Sequence, residues 1–352
     1  MSVVSGNLPH MTAPSTTTGP DVDFHEATEP YRREIIAHCY RMMGSHADAE
    51  DLTQDTYLRA WRAFDKFDGR ASVRTWLHKI ATNTCLTALQ STQRRPLPSG
   101  LGGDAFDPTD TLLQDHEVPW LEPYASDVDD IAPSPDADPA YVVGARESIR
   151  LAFIAALQHL PERQRAVLIL RDVMGWKAAE VADAVDVSVA TVNSLLQRAR
   201  TQLSSVAPQR DSVQPDPAEL DAGKKALLSR YVAAFERYDV NAITEMFTDD
   251  AIWEMPPFTG WYQGPASIGT LIRENCPAEK AGDQILVPAV ANGQVAFGLY
   301  MIGPDGVHRP FQLQVLEFAD DGKVGHVVAF FDDDPTALFA RFGLPETPPA
   351  TV

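Results

Sequence analysis

The chain has 352 residues, 44% of them hydrophobic and 22% charged, enough for two or three separate cores rather than one. Its formal charge of −20, from 29 Lys and Arg against 49 Asp and Glu, repels a polyanion and argues against a protein that coats free DNA, because nonspecific affinity comes from phosphate neutralisation. Three widely spaced cysteines, Cys39, Cys85 and Cys276, form neither a CxxC pair nor a Cys/His cluster, which argues against a disulfide framework or structural zinc and suits a reducing cytoplasm. Residues 1–23 lack the basic start and apolar run of a signal peptide and read as a disordered leader, and no stretch approaches membrane-spanning length.

Residues 24–95 carry helical patterning. Within HADAEDLTQDTYLRAWRAF, the residues Ala49, Leu52, Thr56, Ala60 and Ala63 recur at helical spacing as a core stripe. The opposite face bears Asp51, Gln54, Asp55, Leu58, Arg59 and Arg62, a charged face with one leucine on it. A solvated face with one stray apolar residue is the plain alternative. The next stretch, FDKFDGRASVRTWLHKIATNTCLTALQSTQRR, interleaves aromatic and basic residues over a short loop and a long helix, with Arg74, His78, Lys79, Arg94 and Arg95. Bases stack on rings and cations meet phosphates, so the pattern suits a melted strand; packing of Trp61, Phe64 and Trp76 into the core is the alternative.

The runs DAEDLTQDTYLRAW and FDGRASVRTWLHKIATNTCLTAL resemble region 2 of the sigma-70 family, extracytoplasmic-function group. The resemblance implies that Asp51, Gln54, Asp55, Leu58 and Arg59 dock on the β′ clamp helices of core RNA polymerase. It also implies that Phe67, Asp68, Arg70, Ser72, Arg74, Trp76, Lys79 and Asn83 bind the minus-ten element. An extruded base needs a side chain such as Asn83 that both donates and accepts, although a helix-capping or core amide is the structural alternative.

Residues 96–143 contain no Lys or Arg before Ala140 and are rich in Pro, Gly and Asp, the composition of a linker, with a sticky island at Val118–Tyr124. By resemblance this spacer threads toward the polymerase active centre, an inert tether being the alternative, and PWLEPY favours a docking role for Trp120, Leu121 and Tyr124. Helical patterning returns over residues 144–206. Pro161 opens a helix, Val167, Leu170 and Met174 form a core stripe ending at Gly175, and WKAAEVADAV leads through Asp186 and Val187 into a helix N-capped by Ser188. This is a helix-turn-helix pattern, and Val192, Leu195, Leu196 and Ala199 point inward on its last helix.

The segment resembles region 4 of the same group. Ser188, Val189, Ala190, Thr191, Asn193, Ser194, Gln197 and Arg198 are then the minus-thirty-five DNA-binding residues, and the β flap of the polymerase is a further partner. Asp186 stands where the family favours a left-handed glycine, which Asp tolerates at modest cost, and Leu195 replaces a commonly basic position.

A second linker, residues 207–219, precedes an amphipathic helix with Leu227, Tyr231, Phe235 and Tyr238 on one face, followed by short alternating runs. The order of these elements in residues 220–352, ending in HVVAFFDDDPTALFARFGLP, resembles a SnoaL-like cone-shaped α+β barrel. The expected fold is therefore multidomain: two all-α domains followed by an α+β domain that modulates a sigma factor, with promoter DNA and core polymerase as partners and no cofactor, metal or membrane. By the same resemblance no separate anti-sigma partner is expected. Glu254, His308, His326 and Asp332 are candidate acid/base groups, Trp253, Phe258, Trp261 and Tyr262 are core or pocket lining, and a small-molecule ligand stays open. Asp332–Asp334 reads as a solvated turn or as a contact to the sigma domains. The competing readings are a ligand-responsive helix-turn-helix regulator, which leaves residues 24–95 unexplained, and a SnoaL-like enzyme, which leaves both helical units unexplained.

Overall fold

The computed structural model describes residues 23–125, 147–206 and 214–349. The expected leader up to residue 22, the first linker beyond residue 125 and residues 207–213 of the second lie outside the described residues.

The first helical unit comprises α1 (Phe24–Thr28), α2 (Arg32–Met43), α3 (His46–Ala63) and α4 (Val73–Leu89). Gly44 ends α2 with φ 71°, and a Cβ there would stand 2.9 Å from Leu121 Cδ1 and 3.0 Å from the Gln158 amide. Both the left-handed turn and the close approach of two distant segments therefore require glycine. Ser45 caps α3 by accepting from Asp48 N–H at 3.1 Å, and Ser72 caps α4 by accepting from Thr75 N–H at 3.1 Å. The stripe read on α3 is buried at Ala49, Thr56 and Ala60 and half-buried at Leu52 and Ala63.

The second helical unit holds α5 (Leu151–Leu157), α6 (Glu162–Leu168), a π turn at Ile169–Val173, α7 (Ala178–Ala184) and α8 (Val189–Val206). Val167, Leu170 and Met174 are buried and Gly175 turns left-handed at φ 70°. α7 begins two residues later than WKAAEVADAV suggests, because the Glu180 carboxylate accepts from Lys177 N–H at 2.6 Å and fixes the helix start there. Asp186 takes φ 52°, the left-handed turn expected of it.

The last unit contains α9 (Ala222–Glu236), α10 (Val240–Glu245), β1 (Phe247–Glu254), β2 (Trp261–Gln263), α11 (Pro265–Asn275), β3 (Gln284–Ala291), β4 (Gln294–Ile302), β5 (His308–Phe318), β6 (Val324–Phe330) and α12 (Pro335–Arg341). The six strands form one sheet in the order β2-β1-β6-β5-β4-β3, parallel only between β1 and β6. Val295, Phe297, Leu299 and Met301 of β4 enter the core shared with α9 and α11. Ala296 and Tyr300, on the other face, belong to the core that continues through both helical units. Phe339 of α12 and Leu344 pack on this outer face, in a core that continues into the helical units, so β4 is buried on both sides. No helix among the described residues is long and apolar enough to cross a membrane.

Candidate polymerase and promoter interfaces

On α3, Asp51, Gln54, Asp55, Leu58 and Arg59 are all exposed and share the face opposite the core stripe. Leu58 is 51% exposed and Trp61, one turn further on, 64% exposed. Two large apolar side chains rimmed by charges therefore share this face, so Leu58 is not a lone exposed leucine. Trp61, offered above as a core residue, belongs to that surface.

The loop before α4 leaves Asp68, Arg70 and Ser72 exposed, with Arg70 Nε 2.8 Å from the Asp68 carboxylate. Phe67 and Trp76 are half-buried and pack with their rings tilted by 42°, 4.9 Å between ring centres. The remaining expected minus-ten residues are occupied. Arg74 is bidentate to the buried Glu34, its Nε 2.9 Å from each carboxylate oxygen, so it orients α4 against α2 instead of presenting a free cation. Lys79 pairs with Asp183 of α7 at 2.6 Å. Asn83 donates to Lys79 O at 2.8 Å and to Ala184 O, at the end of α7, at 2.9 Å. The second helical unit thus covers the part of α4 that the sequence assigns to base reading.

On α8 the outer face is open. Ser188, Val189, Ala190, Thr191, Asn193, Ser194, Gln197 and Arg198 are all exposed, and Val192, Leu196 and Ala199 are buried. Ser188 Oγ accepts from Thr191 N–H at 3.1 Å, which caps the helix and aims its first turn outward.

The first linker is laid over the molecule. From the end of α4 it crosses the C-terminal domain, where Ser99 N–H donates to Glu254 at 2.7 Å and Phe106 N–H to Trp261 O at 2.9 Å. It then returns to the α2–α3 corner. There Leu121 is buried against Gly44, Tyr124 stacks on Tyr40 at 4.6 Å, and Glu122 accepts from Ser45 Oγ at 2.9 Å and from His46 N–H at 3.0 Å at the positive end of α3. Trp120 is half-buried and its indole donates to Asp115 O at 2.8 Å.

The β3–β4 hairpin carries a residue the sequence reading missed. Asn292, fully buried at φ 54°, accepts from Tyr124 N–H and donates to Tyr40 Oη and Ile149 O, each at 2.8 Å. One side chain thereby joins α2, the linker and the segment entering α5. The signal was present: Asn292-Gly293 between alternating runs marks a hairpin tip, and a polar tip residue has to find partners once it is buried.

Of the candidate acid/base groups, Glu254 and His326 meet at 2.8 Å, with Glu317, not singled out above, 3.8 Å from the other imidazole nitrogen. Burial alone lowers the His326 pKa, but the two carboxylates outweigh it and raise it to about 9. Through the Ser99 N–H on Glu254 this trio ties the sheet to the linker. His308 bonds Gly282 O at 2.9 Å, and Asp332 faces Arg341 at 3.4 Å, both apart from it. In the acidic run Asp334 caps α12 and Asp333 lies 4.0 Å from His116 of the linker; neither meets a basic face of the helical units.

Comparison with known proteins agrees with these three units. Residues 28–95 match the sigma-70 region 2 model, residues 150–203 the sigma-70 region 4 model, and residues 228–327 the SnoaL-like domain model. The chain belongs to the extracytoplasmic-function group of sigma-70 RNA polymerase sigma factors. It is 57% identical over 325 residues to the ECF RNA polymerase sigma factor SigG of Mycobacterium tuberculosis, covering 92% of this chain and 85% of that one. It is 27% identical to SigJ of the same species over 290 residues, 79% of this chain and 81% of SigJ. The SigJ crystal structure superposes with a TM-score of 0.57 over 91% of this chain and 98% of that chain at 22% identity, a likeness of fold. Family membership accounts for both helical units together, which neither competing reading does.

Proposed function

We propose that this chain initiates transcription by docking on the β′ clamp helices of core RNA polymerase through Asp51, Gln54, Asp55, Leu58 and Arg59, with Trp61 added to that face. The exposed Leu58–Trp61 pair, rimmed by charge, is the observation that carries the reading. Residues 24–95 act as region 2, with Phe67, Asp68, Arg70, Ser72 and Trp76 meeting the melted minus-ten strand and Lys79 and Asn83 joining them once α7 leaves. Arg74 acts as a positioning residue. Residues 144–206 act as region 4 on the β flap and read the minus-thirty-five element with the outer face of α8. The linkers 96–143 and 207–219 tie these units to residues 220–352, which modulate their engagement and take a small-molecule ligand. The chain performs no catalysis of its own and works in the cytoplasm, where core polymerase is found.

Run-off transcription with purified core polymerase on fragmented genomic DNA tests this. Discrete start sites are expected with the full chain and are lost with Leu58→Asp, whose melting temperature stays that of the parent because the side chain is already in water. Start sites that persist in the variant, or none with the parent chain, overturn the proposal.

A further inference from the structure

A cavity of about 310 Å³ opens inside the C-terminal domain, on the sheet face opposite Glu254, Glu317 and His326. Phe235, Trp253, Met255, Leu271, Phe311 and Phe331 are part of its wall, and its volume is at the lower end of small-molecule sites. No Asp, Glu, Lys, Arg or His lines it. Its Cys276 thiol is pushed up by burial and stays protonated near neutrality. An ionised guest therefore finds no counter-charge, and a neutral one is selected.

Two buried polar groups in this wall have no partner. They are the Trp253 indole Nε1 and the Gln284 Oε1, on side chains each 2% exposed. The other end of the Gln284 amide donates to Cys276 Sγ at 3.2 Å; turning the amide over exchanges its ends and still leaves one free. Buried polar groups are almost always satisfied, so an unpartnered pair in an apolar cavity marks where a guest supplies the missing bonds.

The cavity also has a lid from elsewhere in the chain. Leu112 and Gln114 of the first linker form part of its wall. The linker is pinned there by Thr259 N–H to Leu113 O at 2.9 Å, Asp115 N–H to Pro257 O at 3.0 Å, and the Phe106 to Trp261 bond. We propose that the cavity binds a neutral, largely apolar molecule bearing a hydroxyl or carbonyl, held by Trp253 and Gln284 beneath linker residues 106–115. Occupancy is thereby sensed by the segment that leads from region 2 toward region 4. The inference rests on residues 220–352 being the regulatory module of a sigma factor.

Titration calorimetry on the full chain with three probes of one size tests it: 2-naphthol, 2-methylnaphthalene and 2-naphthoate. Binding of one 2-naphthol per chain is expected, about 10-fold tighter than 2-methylnaphthalene, which matches about 1.4 kcal/mol, with no binding of 2-naphthoate. Trp253→Phe keeps an aromatic wall with a smaller ring and removes the N–H; it abolishes the roughly 10-fold preference for 2-naphthol over 2-methylnaphthalene. Hydrogen exchange of the Asp115 amide slows on saturation, and Leu112→Ala cancels that slowing, a second readout should Trp253→Phe not fold. No saturable 2-naphthol binding, equal binding of 2-naphthoate, or unaltered exchange at Asp115 overturns the proposal. Run-off transcription without probe reports separately: start sites without 2-naphthol binding sink the cavity alone, and 2-naphthol binding without start sites sinks the regulatory reading.

Discussion

Replacing Asn292 by Ala removes three side-chain hydrogen bonds at the junction of all three units while leaving its backbone bond to Tyr124 O in place. Tyr40 Oη keeps its bond to Glu122 O at 2.8 Å, so its loss is small. The Tyr124 N–H and Ile149 C=O are left unpaired in a buried site, at about 1–3 kcal/mol each. Alanine at φ 54° adds about 1 kcal/mol of backbone strain. Together these weaken docking by roughly 3–7 kcal/mol, the size of a whole domain's stability, while the sheet core, on the far side of the hairpin, is untouched. Asn292→Gly removes the side chain without the strain, and its difference from Ala isolates the backbone part. Native-state hydrogen exchange at the Tyr124 and Leu151 amides reads the opening directly. Leu151 N–H donates to Gln294 at 3.0 Å and belongs to the same junction. Protection at both that stays within about 10-fold of the parent, about 1.4 kcal/mol, refutes the reasoning.

Two further outcomes follow from the geometry. His326, raised to about 9 from an unfolded value near 6.5, contributes stability that is fully present below pH 6.5 and is lost as pH rises through about 9; urea midpoints measured from pH 6 to 10 should fall on the alkaline side in the parent and stay level in His326→Gln, and parallel curves exclude the trio as the cause. Asn193→Ala, on the open face of α8, leaves the melting temperature unchanged and weakens the holoenzyme by about 1–3 kcal/mol at one position of the upstream element. Footprints on single-base promoter variants measure this, and an equal loss on every sequence shows a phosphate contact instead.

The helical units were readable because their signals are local. The α3 stripe, the Ser188 cap and the left-handed Asp186 each depend on neighbours within a few residues, and the structure has all three. The burial of β4 on both faces was not readable, since its second cover is assembled by the fold from Phe339 of α12 and Leu344 beyond it, in a core that continues into the helical units. Lys79 and Asn83 show the same limit. Their side-chain chemistry suits DNA, but their partners here are Asp183 and Ala184, about a hundred positions on, and only the fold brings those close. Among the acid/base candidates, Glu254 and His326 were within reach of a sequence reading because both stand on strands. That they meet each other and Glu317, on the face opposite the cavity walled by Trp253, depends on which face of the sheet each strand presents.

The two proposed promoter-reading surfaces differ in access, and the magnitudes say which contacts hold that difference. Lys79 and Asp183 are 41% and 78% exposed in their side chains, so their pair contributes under about 1 kcal/mol. The Asn83 bond to Ala184 O adds about 1 kcal/mol. Together these two contacts come to about 2 kcal/mol or less. The stronger ties run through the C-terminal domain. Asn292 grips α2 and the entry to α5 at once, Gln294 accepts from the Leu151 N–H at 3.0 Å, and apolar side chains on the outer face of β4 and β5, packed on Phe339 of α12 and on Leu344, continue into the core of the helical units. Each such side chain, if exposed, costs about 1.5–3 kcal/mol. If Asn83 meets DNA as proposed, uncovering it depends less on its own bonds than on how firmly the C-terminal sheet holds α2 and α5 together, which places control over the proposed minus-ten surface in the C-terminal domain.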